Sequence, residues 1–579
     1  MYKTLKYIQR KSLLDLFISA SLLLFITAGT LGRSIDRTNY SYSDQPIVIQ
    51  QVAFDPNNIS TWLFNTGIFN QDLRSPNTPG FEWPKGTGKF AVFTTGLCVG
   101  AYVNNQLREA MGSYKGEYAP GYVAIVSGLP VAMTNSDFKI YKVKRGDNMY
   151  NNPDWLNWGL MVPYGAPYID VNHNGVYEPA IDTPGIRGAV QTLFACLTDG
   201  FPEEHKIGEG FGGGTLPLFV ETHWTAWGYD NPGLENMQFL KWDIINKNTV
   251  CWDSVYMAVV ADPDIGYPND DYIGCDTARN MGYCYNASNM DGDGSGITYG
   301  ADPPAVGFAL LNCGRQNISL SSLTYFTNTS IEGPICEKDP NGQPLQAFYM
   351  LQGIKNDRTP WVIPNTTPPR TTKFCYSGDP ESGTGWTEYG GQIQNCGGYL
   401  TGPYVVPVQP GDRRLILASH PPNYIMNPGD TEKVVIAQLI ARGTSNKNSV
   451  TKLKQMGDVA QQLCNNGFVM GIENVSSNVP KEFALYQNYP NPFNPSTKIQ
   501  FQIPLNKGGG FSRGLFTRLT IYDILGREVT TLINEQLQPG TYEVEWDGTN
   551  RPSGVYYYKL SVSNGMGDYY DTKKMVLIK

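Results

Sequence analysis

The sequence predicts a mostly-β protein: a large antiparallel, β-sandwich-like N-terminal region with few helices, then a small C-terminal Ig-like β-sandwich. Three observations carry this. The composition is poor in charge (17%) and rich in turn formers and aromatics, with 62 Gly, 40 Pro and 36 Tyr in 579 residues, which suits β-rich extracellular chains better than helical cytosolic ones. Short runs of apolar and β-branched residues recur along the chain, separated by stretches rich in Gly, Pro and Asn. From Leu485 to Lys579 such runs alternate apolar and polar residues, the period of two that strands with one buried face require.

Taken in order, the chain opens with Lys3, Lys6, Arg10 and Lys11 ahead of the uncharged run Leu16–Leu31. A positive start and an apolar stretch ending in small residues mark a secretory signal peptide, expected over residues 1–33. The run is shorter than the roughly 20 residues that a spanning helix prefers. The length suits several domains, and residues 34–472 are expected to form the β-rich body, with a subdomain boundary near residue 215. Strand-like runs are Trp62–Phe64, Lys89–Thr94, Leu97–Val103 and Gly121–Val126, then the more regular Phe219–Trp227, Met237–Ile245, Ser254–Val260, Gly411–Leu417 and Lys433–Ala441. The last is apolar on both faces, which places it centrally in a sheet. One helix is expected where Val450, Leu453, Met456, Ala460, Leu463 and Cys464 recur near helical spacing, with Asn448–Ser449 as its cap. A polar linker over 473–484 leads to the C-terminal sandwich, 485–579.

Composition also excludes. A net charge of −8 and a pI near 5.3 argue against a nucleic-acid partner, which needs a cationic footprint. The ten cysteines contain no C-x-x-C pair, so a zinc knuckle or a thioredoxin-like centre lacks its ligands. Cys275/Cys284, Cys313/Cys336 and Cys375/Cys396 are close enough in sequence to be local staples, though spacing alone assigns no partners. The four histidines form no H-E-x-x-H, and neither a G-x-S-x-G elbow nor a P-loop occurs. The glycine run Gly208–Gly214 precedes a strand and not a helix, the wrong context for a phosphate cradle. A catalytic carboxylate pair would be set by the fold and is invisible at this level. Trp155, Trp158, Trp224, Trp227 and Trp386 are expected in the core in preference to a sugar-stacking platform.

The sharpest candidate site is Asp170–Asp182. Asp170, Asn172 and Asn174 put side-chain oxygens at the first, third and fifth positions, and Gly175 supplies the sharp bend, as in the opening of a calcium loop. Val176 would offer its carbonyl, and Glu178 or Asp182 would close the shell, since Ile181 stands where an EF-hand has its bidentate Glu. A second, weaker candidate is the acidic region Asp262, Asp264, Asp270, Asp271, Asp276, Asp291 and Asp293. Clustered carboxylates repel unless a cation or protons sit among them; the alternative is a solvated loop held by Asx turns.

The C-terminal stretch carries a further set of motifs: Tyr489-Pro-Asn-Pro-Phe-Asn-Pro-Ser-Thr497, Tyr522-Asp-Ile-Leu-Gly-Arg527, Trp546-Asp-Gly548, Ser553-Gly-Val-Tyr556 and Lys574-Met-Val-Leu577. In these it resembles the type A C-terminal sorting domain of the type IX secretion system of Bacteroidota and related bacteria. The resemblance covers about a sixth of the chain. It implies an address that the outer-membrane machinery reads and usually cleaves, with possible linkage of the passenger to surface polysaccharide. The destination implied is the outer cell surface or the medium, reached through the periplasm. Asn506–Gly514 is an insertion expected to lengthen a hairpin loop. In the passenger, Asp262–Gly266, Gly274–Asp276, Tyr376–Pro380, Gly383–Trp386 and Ala441–Thr444 resemble exported proteins with the same domain, which implies a shared fold and no stated activity. The leading expectation is a non-enzymatic, calcium-stabilised surface or binding protein. The alternatives are a polysaccharide-degrading hydrolase using a carboxylate pair, and a structural component of a surface layer or filament.

Overall fold

The computed structural model describes residues 41–579 apart from 44–46, 75–77, 173, 207–209, 293–295, 314–319, 329–333, 365, 367, 369, 391–395, 397–408, 420–422, 466–467, 469–472, 477–479, 481, 505–514, 538–539, 549–550 and 564–567. The expected signal peptide, the 506–514 insertion and Asp293 therefore lie outside the described residues. The chain divides into two compact units, one of residues up to 185, 190–310 and 318–457, the other of 186–189, 311–317 and 458–579.

The larger unit is organised by eleven strands: β1 (Thr94–Val103), β2 (Gln191–Thr198), β3 (Val220–Gly228), β4 (Met237–Asn246), β5 (Asp253–Asp262), β6 (Asp271–Asp276), β7 (Met281–Asn286), β8 (Ala305–Leu310), β9 (Leu320–Thr327), β10 (Arg413–Ser419) and β11 (Thr431–Ala441). One sheet runs β1–β5–β10–β9 and continues beyond β1 through Ile68–Phe69, Thr61–Phe64 and Gln51–Phe54. The other runs β2–β3–β4–β11–β8–β7–β6. The pairs along both are antiparallel. Both sheets interleave strands from either side of residue 215.

Period-two alternation sorts the first sheet's side chains onto two faces. Leu97, Val99, Met257, Val259, Ala261, Leu415 and Leu417 face a large core shared with Leu193, Trp224, Leu240, Trp242, Val434 and Ile436 of the second sheet, giving a sandwich-like body. Phe69 bridges the two layers, with its ring 5.9 Å from Trp224 and 6.0 Å from Trp242. The residues between, Cys98, Tyr256, Ala258, Val260, Ile416 and Ala418, form a second cluster under α1 (Pro344–Leu351). This is why these strands are apolar on both faces. Gly100 leaves room for the helix: a Cβ there would lie 2.8 Å from Phe348. On the second sheet the apolar stripe of α2 (Asn446–Asn465) is received in the same way, a Cβ on Gly307 meeting Leu453 at 2.9 Å. As expected, β11 is central, between β4 and β8.

Two expectations are revised. The α2 cap is Ser445, whose hydroxyl accepts from Asn448 N at 3.1 Å. Asn448 and Ser449 lie inside the first turn and satisfy Thr444 N and Gly443 N of the incoming chain instead. The sequence-local cysteine pairs do not form. Cys313 is bonded to Cys464 and Cys336 to Cys396, while Cys275, Cys284 and Cys375 are buried thiols. In the β6–β7 ladder Cys275 faces Gly282 and Cys284 faces Ile273, so register keeps the two apart. Trp158, Trp224 and Trp227 are core residues, as anticipated.

The smaller unit contains β12 (Ser496–Ile503), β13 (Leu515–Asp523), β14 (Glu528–Leu537), β15 (Gly540–Asp547), β16 (Gly554–Ser563) and β17 (Asp568–Leu577). Two four-stranded sheets result: β14–β13–β16–β17, and β15–β12 flanked by Glu473–Ser476 and Ala484–Leu485. The expected linker thus lends both of its ends to the second of these sheets. One core of alternating residues, including Ile499, Phe501, Leu519, Ile521, Trp546, Tyr558 and Leu560, joins them.

Candidate functional site

The Asp170–Asp182 loop is closed at its base by a two-residue ladder, Tyr168 facing Pro184 and Ile169 facing Thr183. Asp170 Oδ1 accepts from Asn174 N at 3.2 Å and its Oδ2 from Gly175 N at 2.7 Å. Gly175 takes φ +75° with open space around it, so conformation and not crowding calls for glycine there. The amides of Asn172 and Asn174 both reach Glu178 Oε2, at 2.6 and 2.7 Å. Asp182 is buried and binds the loop from behind, accepting from Val171 N and Glu178 N. The structure therefore gathers Asp170, Asn172, Asn174 and Glu178 in one hydrogen-bonded set. Asp182 joins it through backbone amides, Val176 follows the bend with its side chain exposed, and Ile181 also faces outward. Turning the two amides would exchange their N–H groups for oxygens around the same carboxylate. That donor set is all oxygen and suits a hard cation.

The acidic region does not converge on one centre. Asp270 accepts from Asn286 Nδ2 and Gly292 N, and burial pushes its carboxyl up to about 6. Asp291 accepts from Tyr267 N and Tyr299 N, Asp271 from Ile265 N, and Asp276 pairs with Arg279 at 2.9 Å. These four carboxylates tie down loop backbone. Asp262 and Asp264 instead meet Asp412, with one oxygen from each within 4.8 Å of the others, beside Arg414. Burial raises the Asp262 carboxyl to about 7 against the pull of Arg414. Asp412 and Arg414 arrive from about 150 residues further along the chain, and nothing in their local sequence marks them.

A second site missed by sequence reasoning lies under the glycine run. Gly213 N donates to Glu109 Oε2 at 3.0 Å and Gly214 N to Glu117 Oε1 at 2.6 Å. A Cβ on Gly213 would sit 2.4 Å from that Glu117 oxygen. The run cradles carboxylates of its own chain. His205 is buried with them, its Nε2 2.7 Å from the Asp199 carbonyl and its Nδ1 3.6 Å from Glu117. Burial alone would lower the imidazole, but its bond to Asp199 and the charge of Glu117 raise it to about 9.

In the smaller unit the Tyr489–Thr497 segment is fastened to the end of the chain. Phe493 N donates to Val576 O, Ile578 N to Phe493 O, and Val576 N to Asn491 Oδ1. Asn488 Nδ2 holds Thr497 Oγ1 at 2.9 Å, and Phe493 packs on Trp546 with ring centres 5.4 Å apart. At the β13–β14 turn, where Asp523 faces Tyr556 in the ladder, Asp523 accepts from Leu525 N and Arg527 N, while Ile524 and Leu525 project into solvent. The motifs noted in the sequence thus form one constellation joining the start and finish of this unit.

Residues 487–577 match the family model of the secretion system C-terminal sorting domain. Comparison with curated proteins finds no match. Among solved structures, a polysaccharide lyase is similar over 62% of this chain and 34% of its own, with 9% identity and a TM-score of 0.17; the chain thus spans about a third of that protein's length. The adhesin domain of Epf from Streptococcus pyogenes is similar over 61% and 79%, with 6% identity and a TM-score of 0.12. PorZ, a surface component of the type IX secretion system of Porphyromonas gingivalis, is similar over 91% and 75%, with 10% identity and a TM-score of 0.12. Scores this low carry no inference about the larger unit.

Proposed function

From a chain whose C-terminal sorting domain directs it through the periplasm to the cell surface or medium by the type IX machinery, we propose that residues 34–472 are the delivered cargo, a non-enzymatic surface or binding protein steadied by calcium at Asp170–Asp182. The sorting domain carries the reading. Attachment to surface polysaccharide after delivery belongs to the same proposal. Support for a binding role comes from how the larger unit employs its buried acids. Glu109, Glu117 and Asp199 accept backbone amides, while Glu337 pairs with Lys355 at 2.7 Å and Glu388 with Arg413 at 2.9 Å. Groups committed in this way hold strands together. Support for calcium comes from the oxygen-rich set around Glu178. Incubating the purified full chain with plant, algal and bacterial polysaccharides should show retention without turnover. Turnover that vanishes on changing one Asp or Glu would replace this reading with a carboxylate hydrolase.

A further inference from the structure

Where the outer face of the first sheet ends, three carboxylates and one guanidinium meet, Asp262 and Arg414 buried and Asp264 and Asp412 half-buried. Asp262 is the last residue of β5, Asp264 follows two residues on, and Asp412 directly precedes β10, whose second residue is Arg414. Phe326 stands opposite Arg414 in the β9–β10 register, and Val260 and Ile416 are the next residues on the same apolar face. One oxygen from each of the three carboxylates lies within 4.8 Å of the others. Arg414 spends its donors along one side: Nη2 stands 3.2 Å from Asp262 Oδ2, Nη1 pairs with Asp412 Oδ1, and Nε donates to the Tyr114 hydroxyl at 2.8 Å. Asn328 Nδ2 takes Asp412 Oδ2 at 3.2 Å.

What remains points at a ligand. The Asp262 side chain is 4% exposed, and its Oδ1 has no hydrogen-bond partner among the described residues. Asp264 Oδ1 is likewise a buried oxygen without one. If all three carboxylates were ionised they would outnumber the one guanidinium, so burial and mutual repulsion favour protons on Asp262 and Asp264 unless a cation sits among them, and Asp339 adds to the negative field at Asp262. Unpaired charge in an apolar surround is among the costliest things a fold can hold.

We propose that Asp262, Asp264 and Asp412 hold a divalent calcium ion, with Arg414 as the fixed counter-charge beside it. The donors are all carboxylate oxygens, which select a hard cation over zinc or copper. Two oxygens each about 2.3–2.6 Å from a calcium ion lie up to about 5 Å apart, which accommodates three oxygens all within 4.8 Å of one another, and calcium tolerates the irregular geometry that magnesium does not. The ion fastens the end of β5 to the start of β10, two strands whose contributing residues are far apart in sequence. This site is built from different residues than the Asp170–Asp182 loop and stands if that loop proves to be only a turn.

Calcium bound per full chain, counted after equilibrium dialysis against millimolar calcium, tests it. Asp170→Ala should retain one ion, and adding Asp264→Asn should remove it. Asp264 is the position to change because its side chain bonds no described neighbour, so the amide removes a ligand charge and breaks no existing contact. A chain that loses an ion through Asp264→Asn and none through Asp170→Ala would support this site and discard the loop. No calcium on Asp170→Ala, a count needing no change at the cluster, would overturn the proposal. So would a count unchanged by Asp264→Asn, or full displacement of the ion by equimolar magnesium.

Discussion

The proton on His205 makes stability depend on pH. Burial alone would lower this imidazole, but the Asp199 hydrogen bond and the Glu117 charge raise it to about 9. An unfolded histidine titrates near 6.5, so the folded chain holds the proton more tightly. Its stabilising contribution is then complete below about pH 6.5 and is lost as the pH rises through about 9, to a total of about 3 kcal/mol. Urea midpoints should fall across that window for the wild type and stay flatter for His205→Gln. Parallel slopes in the two proteins would show that His205 does not carry the effect. In the sequence this residue was one of four scattered histidines with no motif. Its partners, Glu117 and Asp199, come from two separate stretches, and only the fold assembles them. Asp412 was hidden for the same reason. The residues of the Asp170–Asp182 loop were legible because their spacing alone decides which side chains come together.

The Asp170–Asp182 loop is an element with little apolar burial of its own. Asp170, Asn172, Asn174, Val176 and Ile181 lie at or near the surface, so ordering entropy weighs heavily against it. A cation would remove repulsion between Asp170 and Glu178 and link binding to folding. Calcium should raise the thermal unfolding temperature of the wild type, and Asp170→Ala should forfeit most of the part of that gain due to the loop. An affinity on the order of 10⁻⁴–10⁻³ M is expected for a site without EF-hand helices. Equal gain in both proteins would mean that this loop takes no ion. Helix α2 shows where element reading slipped. Ser445, Asn446, Asn448 and Ser449 are all residue types that cap helices, and sequence could not rank them. The choice fell to Ser445 because Gly443 N and Thr444 N needed the side chains of Ser449 and Asn448 as acceptors.

At the scale of the molecule, each unit has a hydrophobic core of its own. The sorting unit should therefore be removable without unfolding the cargo. Deleting residues 485–579 should leave the signal working and strand the cargo in the periplasm, as fractionation of the host would show. Trp546→Ala should weaken export in the same direction. Trp546 packs against Phe493 and Tyr556, and emptying such a site costs roughly 3–5 kcal/mol, a large share of a small domain's stability. Cargo reaching the surface equally well with and without residues 485–579 would remove the sorting assignment.

By itself the sequence determined the β class, the central place of Lys433–Ala441, the helix before the final unit, and the address at the C-terminus. Each of these depends on local period or on a contiguous motif, which chain neighbours settle among themselves. Tertiary structure alone decided the disulfide partners, the interleaving of strands across residue 215, the carboxylate cage of the glycine run, and the meeting of Asp262 and Asp264 with Asp412. Those outcomes depend on antiparallel register between strands far apart in sequence, where a slip of one residue would turn every side chain to the opposite face. Local spacing holds no information about that choice; it is made when the two sheets close over their shared core.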